Sequence, residues 1–219
     1  MYNPAQFRED RVPVLQDAIR QSGLGTLITY GPDGLIATHA PMRLTEGPGP
    51  YGTLWGHVSR ANSQWRRSAP DIDALAIFLG PDAYVSPAWY ETKRQTGKVV
   101  PTWNYVAIHA YGPAEFFDDP DRLLEVVTSL TDTHEARLAG QAERWAVSDA
   151  PPDFVRAQLK GIVGFRLPIA RLEGKWKMSQ NRPEQDRAGV VAGLAAQGGS
   201  GTEVAKLVAA ALPGTEKAT

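Results

Sequence analysis

Hydrophobic positions change their spacing several times along this chain, and each change predicts an element. Val12, Leu15, Ala18 and Ile19 recur at helical intervals behind Asp10, with Pro13 tolerated in the first turn. Gly23 predicts the left-handed stop of that helix. Residues 24–30 then read as a strand, Gly31-Pro32-Asp33-Gly34 as a turn, and residues 35–41 as the return strand of a hairpin. TEGPGP at 45–50 predicts a flexible tip and 51–57 the next strand. Asn62 predicts the cap of a short helix through Arg67, which Pro70 ends.

The near-continuous apolar run at 73–80 predicts a central strand, with a turn at Gly80-Pro81-Asp82 and a resumption at 84–86. Residues 91–100 carry Lys93, Arg94 and Lys98 with little apolar content and predict a mobile basic loop. A long strand is expected over 102–115 and a helix from Asp119-Pro120 through Leu130. Pro151-Pro152 opens a further helix ending at Lys160, and 161–168 predicts a closing strand. A helix over 187–194, a glycine linker at 198–201 and a last, peripheral helix over 202–212 complete the chain, with the final seven residues frayed. Six or more short strands, too closely spaced for βαβ units, predict an α+β, mainly antiparallel fold: a small closed barrel with helical decoration. The expected organisation is one domain over 1–196, followed by a linker, helix and tail over 197–219.

Composition narrows the function. The 219 residues are 42% hydrophobic with a net charge of −1, enough for a core and without the basic excess of a nucleic-acid coat. No stretch reads as a helix-turn-helix, so DNA binding has no support in sequence or charge. There is no cysteine, which removes disulfides and thiolate chemistry. The polar N-terminus has no apolar core, and no apolar run reaches bilayer length; a cytoplasmic protein without a membrane partner is expected. Gly198-Gly199-Ser200-Gly201 lacks the Lys-Ser/Thr of a P-loop, His134-Glu135 lacks a second histidine, and no serine sits in G-x-S-x-G. No G-x-G-x-x-G follows a strand.

The stretch LWGHVSRANSQW at 54–65 runs from apolar to polar and into a helix start. His57, Ser59, Arg60, Asn62 and Gln64 offer donors, Gly56 and Ala61 leave room for a ligand, and open backbone N–H groups would suit a phosphate. Trp65 closes the stretch. Other aromatic and polar residues cluster at predicted strand ends: His39 in ATHAP, Trp89 in YVSPAWY, Trp103 and Asn104 in PTWNY, Lys177 and Gln180 in KMSQNR. His39, His57 and His109 lie on β segments without the spacing of a local metal motif, so no metal is assigned. The chain thus offers what a flavin nucleotide asks for: charged and hydroxyl donors for a phosphate, small polar groups for a ribityl chain, and flat aromatic surface for a ring.

ATHAP at 37–41, GHVSRANSQWR at 56–66, YVSPAWY at 84–90, PTWNY at 101–105, LKGIVGF at 159–165 and KMSQNR at 177–182 occur in this order. Together, and with the opening MYNP and Phe7, they resemble the PaiB-like family of FMN-binding negative transcriptional regulators. The resemblance implies an FMN-binding split β-barrel with peripheral helices, and a homodimer with flavin sites at the subunit interface. Ser59, Arg60 and the following helix start would hold the phosphate, and the aromatic strand ends would line the ring. Ser59 and Ser63 stand where the family tends to have Ala and Pro, and the 91–100 segment is longer than usual. The expected function is a flavin-binding sensor or regulator. The alternatives are an NAD(P)H-dependent flavin oxidoreductase and a haem-binding barrel with His39, His57 or His109 as axial ligand.

Overall fold

The computed structural model describes residues 1–138, 140 and 143–211; the expected frayed tail lies outside them. A 3-10 turn, Ala5–Phe7, leads into β1, Arg8–Glu9, and α1, Val12–Ser22. β2, Leu24–Gly31, and β3, Gly34–Thr45, form the predicted hairpin. β4, Thr53–Ser59, α2, Gln64–Arg67, and β5, Ala74–Val85, follow. Next come α3, Glu91–Thr96, β6, Thr102–Gly112, β7, Glu115–Phe117, and α4, Pro120–Glu135. The described chain closes with α5, Pro152–Leu159, β8, Ile162–Pro168, β9, Arg171–Lys177, α6, Glu184–Gln197, and α7, Ser200–Ala210. The nine strands follow the order β1-β9-β6-β5-β2-β3-β4-β8-β7. They serve two compact units, with β5 and β6 passing from one into the other. An inner unit takes Val12–Phe78 and His109–Leu172, and a terminal unit takes Met1–Arg11, Leu79–Ile108 and the described chain from Glu173.

In the inner unit, antiparallel register sorts side chains between two faces. Thr26 stands opposite both His39 and Ile77, and Leu27 opposite Thr38 and Ala76. The inward set includes Leu27, Ala40, Met42, Leu54, Val58, Phe78, Phe165 and Leu167, all buried. Each large aliphatic or aromatic side chain so buried contributes about 1.5–3 kcal/mol. Gly56 belongs to this packing. A Cβ there would stand 2.6 Å from the Phe165 ring and 2.7 Å from Pro41 O, so the space read as room for a ligand is filled by an aromatic ring. One end of the β2–β3 hairpin is plugged by α2. Gln64, fully buried, donates from Nε2 to Leu27 O, Thr29 Oγ1 and Ile36 O. On the opposite side of β4 and β8, Phe117, Leu123, Val126, Leu130 and Leu159 form a second cluster beneath α4 and α5. Trp55 packs against it with its ring 6.2 Å from that of Phe117. Asp119 caps α4 by accepting from Arg122 N at 2.9 Å.

In the terminal unit, β1 pairs with β9 across almost the whole chain, Arg8 opposite Lys175. Helices α6 and α7 pack through Val190, Leu194, Val204 and Val208, all buried.

Three local expectations are corrected. The turn at Gly80-Pro81-Asp82 is absent; β5 continues through it, although its burial alternation lapses there. Residues 91–100 are not a featureless loop but begin with α3. The helix is capped from afar, with Thr92 N donating to Asp186 Oδ1 at 2.9 Å, and it stops at Gly97, whose φ is +68°. β9 has no counterpart in the sequence reading, because its alternate positions carry Arg171, Glu173, Lys175 and Lys177, which look like a solvated loop.

Candidate functional site

The end of β4 and the start of α2 hold Ser59, Arg60, Asn62 and Trp65 together. Four of the backbone donors expected to be open there are already used. Arg60 N donates to Gly161 O at 2.8 Å, Asn62 N to Ser59 O at 2.9 Å, Ala61 N to Ser59 Oγ at 3.3 Å and Gln64 N to Asn62 Oδ1 at 2.9 Å. An anion at this segment would therefore draw mainly on side chains, with Ser63 N and Trp65 N the backbone donors that keep no acceptor among the described residues. Asn62 Nδ2 is tied to Thr38 Oγ1 at 2.8 Å. Arg60 is largely committed as well, donating from Nε to Lys160 O at 2.8 Å and from one terminal nitrogen to Asp118 at 3.3 Å. Trp65 donates from Nε1 to Arg60 O at 3.2 Å, and its ring centre is 5.9 Å from the Arg60 guanidinium carbon and 4.4 Å from that of Arg66. Arg66 makes no ion pair among the described residues. The sequence reading did not select it; its place beside Trp65, four residues after Asn62, was the available signal. Trp65 also lines a cavity of about 440 Å³ with Thr29, Ser68, Glu115 and Phe116.

The two remaining histidine candidates in this unit sit apart on strand faces. His39 is exposed on the outer face of β3, with Nδ1 2.9 Å from Thr26 Oγ1. His57 is half-buried, its Nδ1 is buried without a hydrogen-bond partner, and burial holds its pKa below the ordinary histidine value. The alternative axial ligand His109 has Nδ1 3.2 Å from Tyr111 OH.

The terminal unit holds the other candidates. Trp89 packs on α6 where glycines make room: a Cβ at Gly189 would meet Trp89 O at 2.0 Å, and one at Gly193 would meet its ring at 2.3 Å. Trp103 is 53% exposed and stands edge-on to Tyr84, centroids 6.1 Å apart. Asn104 is fully buried, donating from Nδ2 to Ser179 Oγ at 3.0 Å and accepting back at 3.2 Å. Lys177 donates from Nζ to Thr102 Oγ1 and Trp103 O. Burial, and then the charges of Lys175 and Arg182, hold the Lys177 ammonium below the usual lysine range. Gln180 folds back on the chain, accepting from Met178 N at 2.7 Å and donating to Trp176 O at 2.6 Å. Trp103, Asn104, Lys177 and Gln180 thus converge on the start of β6 and the end of β9, and Trp89 takes a packing role on α6.

Strand order and helix placement define an α+β FMN-binding split β-barrel with peripheral helices, the class expected from the sequence. The chain belongs to the family described as "Putative FMN-binding domain", which matches residues 1–171 and so contains five of the six ordered motifs. It is 32% identical over 191 residues to the Protease synthase and sporulation protein PAI 2 of Bacillus subtilis, covering 87% of each chain. Among solved structures, the conserved hypothetical protein Rv2991 of Mycobacterium tuberculosis matches with a TM-score of 0.56 at 17% identity, over 84% of this chain and 95% of that one. The flavocytochrome Anf3 of Azotobacter vinelandii matches with a TM-score of 0.56 at 14% identity, over 83% and 75%. At those identities the structures speak for the fold alone. No helix among the described residues is long and apolar enough to cross a membrane.

Proposed function

We propose that the chain is a homodimeric FMN-binding protein that works as a redox sensor or regulator, with the flavin phosphate held beside Trp65. One observation carries this reading: the Arg66 guanidinium lies over the Trp65 ring at 4.4 Å with no acid partner among the described residues. A phosphate dianion fits that donor set, since Arg66 is uncommitted, Arg60 keeps part of its fork free and the Ser59 hydroxyl is exposed. Bound FMN would supply a ring that takes up and returns electrons, while the residues named here hold and orient it. Arg66→Ala is expected to weaken FMN binding at least tenfold, since a charge-assisted contact is worth about 1.5–3 kcal/mol. Arg60→Ala should cost less. Flavin fluorescence titration checks both, and unchanged affinity in Arg66→Ala would refute the placement. Rapid bleaching of the bound flavin by NADH or NADPH would instead favour a flavin oxidoreductase.

The outer face of β3, β2 and β5 supports the dimer. Its register places Leu24 beside Pro41, Ile28 beside Ala37 and Leu75, and Tyr30 beside Leu35. Leu24 is 57% and Leu35 76% exposed. A largely apolar sheet face of this kind, interrupted by the Thr26–His39 pair, suits an association surface, and a second copy would cover it. Ile28→Asp is expected to yield monomer in light scattering and to lose FMN, because the flavin site is shared between subunits. A dimeric Ile28→Asp protein would overturn this.

His39 favours a second reading. In the tautomer that donates Nδ1–H to Thr26 Oγ1, Nε2 of this exposed imidazole is open to ligate a metal, and one structural relative is a flavocytochrome. A Soret shift on adding haem, lost in His39→Ala, is the result expected under that reading; no shift sinks it.

A further inference from the structure

In the terminal unit the charges of Lys175 and Arg182 both bear on Lys177, Arg182 lies over Tyr90 with its guanidinium carbon 4.7 Å from the ring centre, and none of the three forms an ion pair among the described residues. Lys175 is 7% exposed, donates to Tyr2 O at 3.1 Å and stands 5.3 Å from the centre of the Tyr105 ring, which Lys177 also approaches at 5.9 Å. Gathering like charges in a half-buried place is unfavourable unless an anion offsets them.

The loop that presents these charges is fixed by several independent contacts. Two of the three Lys177 ammonium hydrogens are taken by Thr102 and Trp103, leaving one to offer. Among the described residues Ser179 is the one non-glycine residue at positive φ, +59°, and it is held there by its two-way bond to buried Asn104. Arg182 N closes the loop onto Ser179 O at 2.9 Å. Backbone strain secured in this way is characteristic of sites arranged in advance for a ligand. The carbonyl that Lys177 grips belongs to Trp103, so an exposed indole adjoins the cation along the chain.

We propose that the loop from Lys177 to Arg182 is a second binding site, separate from the Trp65 segment, for the phosphate or carboxylate of a small aromatic acid. The oxyanion meets Lys177 and Arg182, and the aromatic ring lies against Trp103. This inference does not depend on flavin being bound.

The test is calorimetric titration of the full-length protein, flavin-free and FMN-loaded, with phenyl phosphate, benzoate and inorganic phosphate. One phenyl phosphate or one benzoate per chain is expected, with inorganic phosphate weaker than phenyl phosphate. Lys177→Met and Arg182→Gln should each weaken binding at least tenfold in the FMN-loaded protein, where the Trp65 phosphate site is filled, with Arg182→Lys recovering most of the loss. Trp103→Ala should bring phenyl phosphate down to the affinity of inorganic phosphate. Should Lys177→Met fail to fold, the Arg182→Gln and Arg182→Lys pair decides alone. Absence of binding by all three probes overturns the proposal. So does a loss in Arg66→Ala equal to that in Arg182→Gln, or displacement of the probe by FMN, either of which would assign the loop to the flavin's own site.

Discussion

Phe165→Ala is expected to cost about 3–5 kcal/mol, among the largest losses any single truncation in this chain should produce. The Phe165 ring is fully buried, fills the space that Gly56 vacates on the neighbouring strand and lies 6.2 Å from the Phe116 ring. Removing it leaves a void between β4 and β8 that backbone hydrogen bonds on both sides keep from collapsing. Urea unfolding should show a lower midpoint with an unchanged slope, and the melting temperature should fall by on the order of 10 °C. A loss under about 1 kcal/mol would mean that the site repacks and that this pair of strands is not the rigid centre of the inner unit.

Gln64→Ala is expected to be nearly as damaging, for an opposite chemical reason. The side chain is fully buried and its amide donates to Leu27 O, Thr29 Oγ1 and Ile36 O, tying α2 into the hairpin. Ser68 still donates to Thr29 in the variant, but the two carbonyls lose this donor, for a total of about 2–4 kcal/mol. The same change should weaken FMN binding although Gln64 need not touch it, because α2 carries Trp65 and Arg66. Gln64→Glu separates polarity from shape. It keeps the size but aims a carboxylate at carbonyl oxygens, so it should cost at least as much as alanine. Thermal melts and flavin titration on the two variants check this, and a tolerated Gln64→Glu would show that the amide bonds are not what anchors the helix.

Features set by near neighbours were legible in the sequence. The β2–β3 hairpin follows from two alternating runs and a Gly-Pro-Asp-Gly turn, and α1 ends at Gly23, whose φ is +66°. What escaped depends on partners far along the chain. Helix α3 owes its cap to Asp186, and β9 is a strand because Tyr2 and Tyr105 cover Lys175. The candidate site divides in the same way. Ser59, Arg60, Asn62 and Trp65 are legible together because they lie close to one another in the sequence. That Gly161 O takes the Arg60 N–H, and Asp118 part of its guanidinium, could not be read locally. Arg66 was therefore passed over for a neighbour that is more fully engaged.

The interleaving of the two units has a consequence during synthesis. The chain crosses between them at residues 11, 78, 108 and 172, so the terminal unit is assembled from three separate stretches. Of the nine described strands β1 is the first to be synthesised and its partner β9 the last. The inner unit's described segments are complete once residue 172 has emerged, whereas the terminal unit's N-terminal strand must wait, unpaired, through most of translation. Neither unit can be cut out as one continuous fragment, so a gene truncated where the family match stops, at residue 171, would encode β1 without its partner strand.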